Sequence, residues 1–243
     1  MNKIVLLAIT LLAISSNAIK AQTLIDQQNL LNLGDRTGKT DGALIYTRAG
    51  SYYGVMGTPY LNDKWSPATI STLDGRKHQN TPVMYNAHYD LIEAVVGKDT
   101  LVLDSRLIRE VEMPIVDKDG MRIAKLRNGF TEPKEKIEAT NFFEVIYDGS
   151  NIAVLRKHYK QLKASTFDAA YNTGSKFDEF ILQSTTYVRT PDGKIVKFKP
   201  NKKSVLDLTG GKSKEVENFV SQQKLKYNVD ADLVLIFSYF ESL

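Results

Sequence analysis

The sequence predicts a mainly β protein: an antiparallel meander forming a curved sheet or open barrel, with a short helical segment at its C-terminal end. Three observations carry this prediction. Short apolar runs alternate with polar residues between Asp-Gly and other glycine-containing turns, the connections are too short for crossover helices, and helical periodicity sets in only beyond residue 200.

The elements are taken in chain order. Lys3, the apolar run from Ile4 to Ile14 and the polar Ser15, Ser16 and Asn17 have the layout of a secretory signal peptide. The run is shorter than the roughly 20 residues that cross a bilayer. Cleavage is expected after Ala21, with Ala18 as the alternative. Removing 21 of the 243 residues leaves 222, and loss of Lys3 and Lys20 lowers the formal charge from +4 to +2. A chain so nearly balanced gives no reason to expect a nucleic-acid partner. It also contains no cysteine, which excludes disulfides, thiolate metal sites, thiol nucleophiles and the lipid-bearing cysteine of a bacterial lipoprotein.

Residues 22–42 read as an N-terminal arm or short helix ending in a Gly- and Asp-rich loop. An antiparallel β region follows over 43–130. Its turns are Asp74-Gly75, Gly97-Lys98 and Asp117-Lys118-Asp119-Gly120, and its runs include Thr69 to Leu73, Val83 to Tyr85, Leu91 to Val95, Thr100 to Leu103 and Arg106 to Met113. A second hairpin region spans 131–200. It pairs Phe142 to Tyr147 with Ile152 to Arg156, then Thr186 to Arg189 with Ile195 to Lys199 across Pro191-Asp192-Gly193. Residues 201–243 are helical: one or two turns from Asn201, a stop at Gly210-Gly211, a helix capped by Ser213, and a last helix with Leu233, Ile236, Phe237 and Phe240 on one face. Strands mostly shorter than the 9 to 11 residues of outer-membrane barrels, with a helical end, argue against a transmembrane barrel.

Motifs for chemistry are weak. Gly38-Lys39-Thr40 and Gly211-Lys212-Ser213 lack the leading glycine of a phosphate loop, since Leu33 and Leu206 occupy its place. His78 and His88 with Asp90 could meet across a hairpin, but none of the three histidines has a metal-ligand spacing, so neither a metal nor a cofactor is expected. Glu110 and Glu112 share a strand face as a carboxylate pair, which is more simply its wet side. The candidate binding residues are aromatic: Tyr52, Tyr53, Tyr60, Trp65, Tyr85 and Tyr89 crowd the first part of the body, where ring faces beside polar tips suit sugars, peptides or proteins. Ile195, Lys197 and Lys199 line one strand face as a lysine stripe, read first as edge protection.

Pro59-Tyr60-Leu61-Asn62, Asp74-Gly75-Arg76, Pro82-Val83-Met84-Tyr85-Asn86 with Asp90, and Asn201-Lys202-Lys203-Ser204-Val205-Leu206 through Asp232-Leu233 resemble exported proteins of unknown function widespread in Bacteroidetes. The resemblance covers most of the chain beyond the signal segment. It implies a Gram-negative envelope setting, periplasmic or outer-membrane-associated, and assigns no activity or site residue. The expected function is a non-catalytic binding or scaffolding protein with an envelope protein, glycan or lipid as partner. The alternative is a periplasmic carrier of a lipid or glycan in a curved-sheet cavity. Third is an enzyme acting on envelope polymers through Glu110, Glu112 or Asp90.

Overall fold

The structure is a computed structural model that describes residues 52, 54–117, 120–168 and 170–243. The expected signal segment, the 22–42 arm and Tyr53 lie outside the described residues. Ten strands form one sheet: β1 (Ser66–Thr72), β2 (Lys77–Asn86), β3 (Leu91–Val96), β4 (Asp99–Val102), β5 (Ile108–Asp117), β6 (Gly120–Arg127), β7 (Phe143–Asp148), β8 (Ala153–Lys163), β9 (Glu179–Arg189) and β10 (Ile195–Lys197). Every neighbouring pair is antiparallel, and the sheet is not closed.

The spatial order is β10-β9-β8-β7-β6-β5-β1-β2-β3-β4. The meander is thus broken once, where β5 returns to pair with β1 instead of β4. Ile70 of β1 lies opposite Val111 of β5, which in turn lies opposite Leu126 of β6, so the return extends one apolar face across three strands. The hairpin turns follow the glycines: Gly75 (φ 85°) and Gly193 (φ 80°) occupy the left-handed region where a side chain is strained. β5 runs further than Met113, because Pro114 lies where β1 no longer pairs with it. There the proline's missing N–H is no loss, and its carbonyl accepts from Asn62 Nδ2 at 2.7 Å.

Side chains collect into three cores. The first fills the curl of β1 to β6 with Ile70, Val83, Tyr85, Ile92, Val111, Met113, Leu126 and Phe142. The second lies between one face of β7 to β9 and three helices, α1 (Lys202–Thr209), α2 (Ser213–Gln223) and α3 (Asp230–Ser242). The third, with Phe143, Ala153, Leu155, Tyr187 and Ile195, occupies the opposite face of the same strands. β8 therefore alternates between two cores: Val154 enters the second, Ala153 and Leu155 the third.

The predicted helical spacing holds in α3, where Leu233, Ile236 and Phe237 are fully buried. Asn201 caps α1 by accepting from the Ser204 N–H at 3.0 Å. Ser213 does not cap α2: the chain enters that helix from a 3-10 turn over Gly210–Lys212, so Ser213 is already its first helical residue. No helix among the described residues is long and apolar enough to cross a membrane.

The sheet curls far enough for its two halves to touch. The Lys160 N–H of β8 donates to the Ala87 carbonyl at the end of β2 at 3.1 Å, although four strands stand between them in the sheet order. The segment before β1 laces the same gap, with Met56 bridging Glu179 of β9 and Tyr60 bridging Asn86 of β2.

Candidate functional site

Polar chemistry gathers at the seam where the halves meet, and two consecutive residues of β8 organise it. Lys157 faces one side of the strand and His158 the other. On the Lys157 side, Asp90 is held at φ 61° in the β2–β3 turn and accepts from four donors. They are Tyr85 Oη (2.7 Å), Asn141 Nδ2 (3.0 Å), the Phe142 N–H (3.3 Å) and Lys157 Nζ. Burial pulls the Lys157 ammonium below its usual range, and Asp90 opposes that pull. Asp90 thus ties a turn of the first half to β8 and to the chain leading into β7.

On the other side Glu144 of β7, almost wholly buried, accepts from Arg122 of β6 through both oxygens and lies 2.7 Å from His158 Nε2. Burial alone would raise its pKa. Hydrogen bonds from His158 and Arg122 outweigh that and hold the carboxyl at about 2. A carboxylate held so low is a poor general base near neutrality, and its lone pairs are already engaged. Arg156, the cross-strand partner of Glu144, makes a bidentate pair with Asp230 in the first turn of α3 at 2.6 Å on each arm. This side of the seam pins β6, β7, β8 and the last helix to one another.

The aromatic residues singled out in the sequence do not form one patch. Tyr52 and Tyr89 come together around His88, whose ring lies 4.6 Å from Tyr89 and 5.3 Å from Phe180 of β9, while Tyr52 meets Phe180 edge-on at 4.9 Å. Tyr85 is a core residue. Tyr60 donates to Glu93 at 3.0 Å, and Trp65 is a separate, partly exposed residue just ahead of β1. Glu110 and Glu112 are paired with Arg127 and Lys125 on the outer side of β5, while Asp90 is engaged by its own four donors, so the three carboxylates do not converge on one cleft. His78 is buried in the β1–β2 pair, and His88 Nδ1 lies 2.8 Å from the Lys160 carbonyl. Among the described residues, no group of three or more His, Cys, Asp or Glu side chains is placed to hold a metal ion.

One element was not legible. β8 and β9 pair over eleven residues each, well past the predicted Ile152–Arg156 and Thr186–Arg189 runs, and their outer halves extend as a two-stranded arm. The loop at its tip is folded on itself. Asp168 bridges Thr173, the Thr166 N–H donates to the Ser175 carbonyl at 3.1 Å, and the Ser165 N–H donates to Asp178 at 2.7 Å. Gly174 is required there, since a Cβ would sit 2.2 Å from the Thr166 carbonyl oxygen. This ordered tip exposes Phe167, Tyr171 (78% exposed) and Phe177 (53%), with Leu162 and Leu182 further down the same arm. The cluster of Tyr52, His88, Tyr89 and Phe180 lies beside the outer end of the two strands, where Phe180 stands opposite Leu162. The only sequence signal for the arm was the β-forming stretch Phe180-Ile181-Leu182.

Fold and site together define an open antiparallel sheet backed by a C-terminal helical layer, with a polar seam and a projecting hairpin. Comparison with protein-family models, with curated proteins and with solved structures finds no match, so function is read from this chain's own geometry.

Proposed function

We propose that this chain is an exported, non-catalytic binding or scaffolding protein of a Gram-negative cell envelope, and that its contact surface is the β8–β9 arm. The observation that carries the reading is the ordered tip of that arm: aromatic side chains standing exposed on a braced two-stranded projection, as contact anchors do. The signal-type N-terminus and the resemblance to exported Bacteroidetes proteins support the address. Engagement of Glu110, Glu112, Asp90 and Glu144 by separate cations and donors speaks against hydrolytic chemistry. The side-chain filling of the β1–β6 curl speaks against a carrier. The contact region differs from the one expected between Tyr52 and Tyr89: of the described residues in that set, Tyr52 and Tyr89 stand around His88 beside Phe180, and the others lie elsewhere.

The test is quantitative recovery from envelope extract on immobilised protein, comparing the wild type with the double variant Tyr171→Ser/Phe177→Ser. A partner recovered stoichiometrically by the wild type and depleted at least about tenfold by the variant is expected, as for loss of two anchor residues. Equal recovery by both proteins, or recovery by neither, overturns the reading.

A further inference from the structure

The outer edge of β9 is interrupted. Its even-numbered residues direct their backbone groups away from β8. The Phe180 N–H donates to the Met56 carbonyl (2.9 Å), the Thr186 carbonyl accepts from the Phe198 N–H (2.8 Å), and the Thr190 N–H donates to the Lys194 carbonyl (2.9 Å). The β8–β9 register contains no bulge, so Leu182 and Ser184 must direct theirs the same way. Among the described residues nothing bonds to those two N–H and two C=O groups. The neighbouring strand position is filled at one end by the chain at Met56 and at the other by Phe198 and Pro200. Between them lies a slot about six residues, or roughly 20 Å, long. Where it meets β10, a groove of about 410 Å³ opens between Ser184, Thr185 and Thr186 on one wall and Lys197, Phe198 and Lys199 on the other.

We infer that this slot takes a short extended peptide segment of a partner protein, which adds as a strand to β9 and sets a carboxylate side chain against Lys199. Three features choose the occupant. The unpaired groups alternate at strand spacing, as strand addition requires. The walls carry hydroxyls and the Lys199 cation, while Lys197 is already paired with Glu135 at 2.9 Å, which favours a polar strand with an acidic residue at the Lys199 end. The site is closed at both ends by the chain's own segments, so a terminus or loop of about five residues enters where a long edge strand cannot. The inference rests on the binding-protein reading but places recognition on the edge of the arm instead of its aromatic tip.

The probe is an acetylated, amidated five-residue peptide of alternating valine and threonine with glutamate at both ends, added to the folded protein while amide hydrogen exchange is followed by NMR. Exchange at the Leu182 and Ser184 amides is expected to slow at least about tenfold at saturation. A peptide N-methylated at its valines should give no slowing. Lys199→Glu should weaken binding about tenfold and invert the preference toward a lysine-ended peptide, with Lys197→Gln as a milder second variant. No slowing at millimolar peptide, equal slowing by the N-methylated peptide, or slowing that depends on protein concentration alone overturns the slot. Protection that persists in Tyr171→Ser/Phe177→Ser while envelope recovery is unaffected by that variant sinks only the aromatic tip. Intact tip-dependent recovery without protection sinks only the slot.

Discussion

The inner and outer halves of the β8–β9 hairpin are made of the same two strands in one unbroken register, yet they live in different surroundings. Around Val154, Leu155, Tyr187 and Val188 both faces are covered, one by the helices and the other by the third core. Around Leu162 and Leu182 the same ribbon is largely wet. Strand pairing alone therefore does not decide what a hairpin contributes. A two-stranded ribbon is marginal by itself, and the outer half stands because Lys160 and Phe180 bond to Ala87 and Met56 on its two edges and the tip loop is braced.

If that contrast is right, the largest effect belongs to the covering layer. Phe237→Ala, in a fully buried position of α3 against Tyr147 and Phe198, should cost about 3 to 5 kcal/mol in denaturant unfolding. A loss below about 1 kcal/mol would mean that the helices do not brace the inner half.

Next comes the seam. The Glu144 carboxyl is held at about 2, below its ordinary 4.5, so its contribution is complete above pH 4.5 and is lost as pH falls toward 2. The stability difference between the wild type and Glu144→Gln should therefore shrink by roughly 3 kcal/mol between pH 5 and pH 2, read from urea midpoints. A difference independent of pH would break the link between the low pKa and the clamp.

The smallest effect belongs to the tip. Tyr171→Ser and Phe177→Ser should each change stability by no more than about 0.5 kcal/mol, because neither side chain is buried. A cost of 2 kcal/mol or more would show that these rings brace the fold and leave no basis for a contact role.

Much of the sheet was legible because turns announce themselves. Gly75, Gly97, Gly120 and Gly193 all occupy positive φ, and each stands at a hairpin reversal that the sequence marked. The spacing of Leu233, Ile236 and Phe237 likewise announced the buried face of the last helix. The return of β5 to β1 was hidden, because alternation shows which side of a strand is apolar but not which edge it offers to which neighbour. The arm was hidden for the opposite reason. Lys157 to Lys163 and Gln183 to Thr185 are polar on both faces, so a wet ribbon leaves almost no period of two to read. The seam was invisible as well. Arg122, Glu144 and His158 come from three strands, and Asp90 meets Lys157 from 67 positions away, distances that spacing along a chain does not encode.

The bridge between Met56 and Glu179 spans 123 positions, and it has a bearing on how the molecule comes into being. A polypeptide synthesised from its N-terminal end presents Met56 long before the residue it must lie against exists. That bridge is therefore tied late, after the ninth strand has arrived, and a nascent chain halted after β8 would hold the Lys160–Ala87 and Lys157–Asp90 ties without it.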